Sequence, residues 1–231
     1  MQRSKLIPMK KLTILSLVVT AAVFAAGCAS TGYKKADATA SYLESTADRI
    51  DKGAVQIDSA TAALTELVSQ PEADLAGQFK KYSSAVSGLE SVAKDVASRA
   101  TKIQQLGATY FQQWDEQLAM IQNEDIRNNS AERKAAVIKQ FDQVKTSYDE
   151  ARSAFNPLLA DLRDIRTALS TDLTPAGVSA INKSMTKVNE HAAKVRKSLG
   201  DLAVQFKDLG KSLETPTPPP PAKEGAGETA K

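Results

Sequence analysis

Side chains able to make or break bonds are scarce in this 231-residue chain, which has one thiol, Cys28, and one imidazole, His191. A single Cys excludes a disulfide framework and any cysteine metal cluster, and a single His excludes a multi-histidine metal centre. His191 falls between the seam residues Val188 and Ala192, near the edge of the apolar stripe, which reads as a partly covered or solvated imidazole. Asp161 and Asp164 share a helix face, as the two carboxylates of an acid–base site would. Arg163 and Arg166 lie beside them, however, as on an ordinary solvated face. The sequence holds no HExxH pair, no phosphate-cradling glycine loop and no dinucleotide fingerprint. Gly53, Gly77, Gly88 and Gly107 occur singly within helical pattern, which suits close packing. Trp114, with Tyr110 and Phe111, is the densest aromatic cluster. It reads as an aromatic layer closing the end of a bundle, or as a small-ligand pocket. The expectation is a protein that is not an enzyme, with no catalytic residue, no metal and no cofactor.

The thiol has a different context. Met9-Lys10-Lys11 precedes an apolar run from Leu12 to Ala26, followed by Gly27-Cys28-Ala29-Ser30. A basic start, an apolar stretch and small residues at its end make a secretory signal, too short to span a bilayer comfortably. The basic-apolar pattern is complete from Met9, so the layout fits a true start at either Met1 or Met9. Ala25-Ala26-Gly27-Cys28 resembles the lipobox of bacterial lipoproteins, with Ala25 where Leu is commoner. The resemblance implies cleavage before Cys28, acylation of Cys28, and several acyl chains that anchor far better than one. Ala29 after the Cys implies, by resemblance to enterobacterial sorting, the periplasmic face of the outer membrane.

Removing the signal also changes the charge. Residues 1–27 carry Arg3, Lys5, Lys10 and Lys11 and no acid, so the remainder holds 26 bases against 27 acids. A chain near neutrality has no broad electrostatic reason to bind nucleic acid.

The rest of the sequence must build the scaffold, and its apolar spacing is helical and close to seven-fold. A first seam runs Leu43, Ala47, Ile50, Ala54, Ile57, Thr61, Leu64, Val68, and Pro71 ends it. A second runs Leu75, Phe79, Tyr82, Val86, Leu89, Ala93, Val96, Ala100, Ile103 and steps sideways near Gly107 toward Phe111, Trp114, Leu118 and Ile121. Asn129 and Glu132 read as a capping pair opening a third helix after a polar connection from Gln122 to Asn128. Its seam passes from Val137 to Leu169 through Pro157, where a kink is expected. Thr174-Pro175 is a helix start, followed by an unbroken seam from Val178 to Leu213. Helices are therefore predicted over 36–69, 72–122, 130–172 and 175–213. The first carries a net charge of −4 and the fourth +4, which would pair them as neighbours. Laid instead on anionic lipid, the basic fourth helix would leave the bundle open. Thr215 to Lys231 holds five of the nine prolines and no stripe, a composition for a disordered tail.

The stretch from Tyr110 to Ile181 resembles a family of bacterial proteins known as domain of unknown function 2959. Trp114, Leu118, Ile121, Arg127, Ser130, Tyr148, Ala154, Pro157-Leu158-Leu159, Asp164, Leu169 and Ile181 carry the resemblance. It implies an exported or lipid-anchored coiled-coil protein and no known reaction. Residues 167–174 depart from the His- and Asn-containing turn of relatives.

The expected organisation is a signal peptide at 1–27, an acylated linker at 28–35, an all-α, elongated, antiparallel four-helix bundle at 36–214, and a disordered Pro-rich tail at 215–231. The expected role is a structural or protein-interaction module of the bacterial cell envelope, membrane-attached and partnered by an unidentified envelope protein or by peptidoglycan. The alternatives are a wall-tethering lipoprotein bonding through Lys231 at the end of its tail, and a small-ligand-binding bundle near Trp114.

Overall fold

The computed structural model describes residues 32–71 and 74–215. The expected signal peptide, the expected lipidation site Cys28, the proline-rich segment beyond Thr215 and Lys231 lie outside the described residues. The described residues form five α-helices: α1 (Gly32–Ser69), α2 (Leu75–Met120), α3 (Glu124–Thr171), α4 (Pro175–Ile181) and α5 (Met185–Leu213). A short 3-10 segment (Asn182–Ser184) joins α4 to α5, so the two make one arm. α1 packs between α2 and α5, and α3 closes the ring by touching both of them. This is the antiparallel four-helix arrangement that short connections between long helices impose. At 48 residues, α3 is about 72 Å long.

Capping residues explain where the helices begin. Asp74 accepts from the Gly77 N–H, Asn123 from the Ile126 N–H, and Thr174 from the Gly177 N–H. Two of these starts differ from the sequence expectation. The second helix opens at Leu75, after Asp74. The third opens at Glu124, because Asn123 supplies the cap and Glu124 and Asp125 supply first-turn acids, so the predicted 129/132 pair lies inside the helix. α1 extends back to Gly32, making residues 32–35 of the expected linker helical. α3 stays helical through Pro157. The fourth seam, expected to be unbroken, tightens into the 3-10 segment, yet Ile181 and Val188 on either side remain buried.

The seams fill two apolar clusters. One, around the two reversals at Pro71 and Thr174, packs Ile57, Leu64, Tyr82, Leu89, Leu162 and Val188. The other, toward the opposite end, packs Leu43, Ile50, Ile103, Val137, Leu202 and Phe206. The opposite charges of the first and fourth arms do face each other, through Lys207 Nζ and Asp51 Oδ2 at 2.9 Å and through Arg196 and Asp58. Exposed pairs of this kind set register more than they add stability.

Tyr82 is fully buried, and its hydroxyl donates to the Leu162 carbonyl at 2.6 Å, tying α2 to α3. Burial pushes the phenol far above its ordinary range. The unfolded chain releases that proton near pH 10 while the folded chain keeps it, so this contribution is complete below pH 10 and is lost as pH rises further. Unfolding free energy is expected to fall by about 1.4 kcal/mol per pH unit from this residue above pH 10. Denaturant titrations between pH 8 and 11.5 check it: Tyr82→Phe should flatten the slope by that amount. Burial also raises Tyr110 and Tyr148, which would keep part of the slope.

Candidate functional site at the end of the bundle

The aromatic cluster sits where α2 and α3 approach their shared reversal. Trp114 Nε1 donates to Ser130 Oγ at 2.9 Å, bridging the two helices. The Tyr110 and Trp114 rings lie 5.4 Å apart and tilted, and Phe111 meets Phe141 edge-on at 5.1 Å. Phe141 comes this close because Gly107 faces it. A Cβ on Gly107 would stand 2.8 Å from the Phe141 ring. The sideways step of the second seam at Gly107 is thus the place where an aromatic ring occupies side-chain space. Lys134 Nζ pairs with Asp115 at 2.5 Å on the flank of the cluster.

Beside Trp114 opens a cleft of about 350 Å³. It is bordered by Tyr33, Ala36, Trp114, Leu118, Ile121 and Leu213, among others. The volume is within the range of small-molecule sites, but the indole N–H is already committed to Ser130. The aromatics therefore do both things the sequence left open. They cap the core cluster at this end, and they leave an apolar, solvent-facing cleft between the start of α1 and the α2–α3 pair.

His191 lies elsewhere, on α5. Its Nδ1 is 2.8 Å from Asp161 Oδ2 on α3, and Lys187 Nζ is 3.3 Å from Asp161 Oδ1. Asp164 is exposed and stands apart from this group. A carboxylate that orients an imidazole is half of an acid–base arrangement, and here it also works as a clamp between arms. Spacing did not reveal this pair, because its members are thirty residues apart and joined only by the fold. Arg163 and Arg166, read from sequence as neighbours of the acids on their own face, reach across to Glu90 of α2 at 2.7 and 3.0 Å. The Arg163 hydrogen bond lowers the Glu90 carboxyl below its usual range, burial opposes this, and Arg166 adds to the lowering.

A second cavity, midway along the bundle, is lined by Ile50, Val92, Val96, Phe155, Leu199 and Leu202 and has a volume of about 70 Å³. That is less than half of the ~150 Å³ of an apolar cavity that takes benzene. Among the described residues no group of three or more His, Cys, Asp or Glu is placed to hold a metal ion. Among them, too, no helix is long and apolar enough to cross a membrane.

No curated protein and no solved structure matches the chain. A family described as protein of unknown function (DUF2959) matches residues 25–205, a span that takes in Cys28, all of α1 to α4 and most of α5. The long-helix bundle with its Trp114–Ser130 bridge and its Pro157-containing third helix is therefore a member of the DUF2959 family.

Proposed function

We propose that this protein is a lipid-anchored helical bundle of the bacterial cell envelope, a non-catalytic structural or protein-interaction module at the periplasmic face of the outer membrane. The observation that carries the reading is the position of Cys28. The chain's only thiol follows a basic-apolar signal and three small residues, and stands four residues ahead of α1. The family match extends across it. The seams support the same reading, since their large residues are spent on closing the bundle. What remains for function is the outer surface and the two ends.

The test is the fate of Cys28. In cells expressing the full chain, Cys28→Ser is expected to move the protein from the detergent-extractable membrane fraction to the soluble fraction, or to leave it unprocessed. Mass spectrometry of the wild-type N-terminal peptide is expected to show an acylated Cys28. Unaltered membrane partitioning and an unmodified wild-type Cys28 would sink the proposal.

A wall-tethering role remains the second reading, and one contact bears on it. The Thr215 N–H donates to Asp37 Oδ1 at 2.8 Å, so α5 ends beside the start of α1. A tail leaving there starts at the anchor end and has to run back along the bundle to approach the wall. Sixteen extended residues span about 50 Å, less than the length of α3. Detergent-boiled peptidoglycan sacculi that retain the wild-type protein but lose a Lys231-deleted one would establish covalent tethering.

A further inference from the structure

Five large hydrophobic residues are well exposed among the described residues, and three of them gather at one end: Tyr33 at 56%, Met120 at 68% and Ile126 at 58%. The helix lengths explain the gathering. Gly32 and Tyr33 border the same cleft as Trp114, and Leu213 borders it with Ser130. Arg49 pairs with Asp95 across α1 and α2, and that antiparallel register brings Gly32 level with Gln112. Arg133 of α3 donates to the Ser212 carbonyl at the end of α5. α1 and α5 thus terminate near the level of Trp114 and Ser130. α2 continues for six more residues to Met120, and α3 begins six residues before Ser130. The α2–α3 reversal thus stands about 9 Å proud of the other two arms. Ile121 is half-buried beneath it, and Arg127 Nη1 donates to the Ile121 carbonyl at 3.2 Å, which braces the reversal.

This overhang matches the anchor. Cys28 precedes Gly32 by four residues, which span at most about 14 Å when fully extended. A lipid attached at Cys28 holds the start of α1 within that distance of the membrane, and the projecting reversal fits within the same gap. We propose that the α2–α3 reversal is a second, non-covalent membrane contact: Met120 and Ile126 rest in the headgroup region of the leaflet that holds the Cys28 lipid, so that this end of the bundle faces the bilayer. The inference rests on lipid attachment at Cys28. Glu124 and Asp125 lie between the two apolar residues at the start of α3. Their charge keeps the contact shallow and gives it no preference for anionic lipid. Tyr33 and Trp114, set back from the tip, have the amphipathic character of interfacial side chains.

Trp114 is the only tryptophan and reports on this geometry without labelling. It lies six residues, about 9 Å, behind Met120 along α2. The full processed protein would be reconstituted into phosphatidylcholine vesicles carrying a nitroxide either on the headgroup or deep in the acyl chain. The expected result is quenching of Trp114 by the headgroup label and little by the deep label. M120S/I126S should relieve the quenching while leaving the thermal unfolding midpoint unchanged, since both side chains are exposed. Replacing half of the phosphatidylcholine by phosphatidylglycerol should not strengthen it. Membrane-bound protein whose Trp114 is quenched by neither label would overturn the contact while leaving the anchor standing. If Cys28 proves unacylated in cells, coupling the same thiol to a maleimide lipid gives the tethered protein, and the same two results decide the contact. Quenching that appears only with anionic lipid would also overturn it, in favour of a basic surface.

Discussion

Tyr82→Ala is expected to destabilise the bundle by about 3–5 kcal/mol, the range for emptying a large aromatic site. Among the described residues Tyr82 is the largest of the fully buried side chains, and it shares the apolar cluster at the Pro71 end with Leu89, Leu158 and Leu162. Its surroundings come from long rigid helices rather than loops, so they collapse poorly into a void. Tyr82→Phe should cost only about 1 kcal/mol, the usual net value of one hydrogen bond. The Leu162 carbonyl lies within α3, where the helix offers its own donor. Urea unfolding followed by circular dichroism measures both. A loss near 1 kcal/mol for the Ala variant would mean that the site relaxes, and that the bundle is more loosely packed than its burial implies. Equal losses for Ala and Phe would place the stability in the hydroxyl instead.

Such large side chains are what the sequence made legible. Seven-fold spacing alone identifies Tyr82, Leu89, Leu162 and Val188 as core, because a helix turns its neighbours away at a fixed angle and leaves one stripe to bury. The opposite net charges of the first and fourth arms foretold that they would lie side by side, and Asp51–Lys207 is the result. Legibility fell where one residue decides between two local outcomes. Asn123 and Asn129 both precede acids, and either could cap a helix. The acids at 124 and 125 act together at the first turn, and the earlier start lets α3 run the full length of α2. Ala54 falls on the first seam by its spacing, yet Gly53 is buried and Ala54 only half-buried, because the buried face of α1 meets two neighbours and is wider than a single stripe.

The candidate site shows the same limit. Trp114 stands out in the sequence as an aromatic centre, but its bond to Ser130, the cleft beside it and the overhang beyond it come from how four helix lengths compare at one end. No local pattern encodes a comparison of lengths. The His191–Asp161 and Glu90–Arg166 pairs are likewise products of register between arms.

Two glycine-to-alanine exchanges that look alike in sequence are expected to have opposite signs. Gly200 lies inside α5, exposed, and a Cβ there would meet nothing within 4 Å. Gly200→Ala should therefore stabilise by about 0.5–1 kcal/mol, the ordinary gain from removing a helical glycine. Gly177 lies in the first turn of α4, where its N–H donates to Thr174 Oγ1 at 3.1 Å, and the Thr174 hydroxyl in turn donates to Asp172 Oδ1 at 2.7 Å. That folded-back turn brings the Asp172 backbone carbonyl onto the position a Cβ would occupy. A side chain could rotate aside, but a carbonyl at the end of α3 moves only if the reversal moves. Gly177→Ala should accordingly cost about 1–3 kcal/mol as overpacking, despite the better helix former. Thr174→Ala, which removes the cap without a clash, should cost about 1 kcal/mol. Thermal and urea unfolding of the three variants test the ordering. Stabilisation by Gly177→Ala would mean that the turn between α3 and α4 yields easily, and that the 3-10 segment following it absorbs the shift.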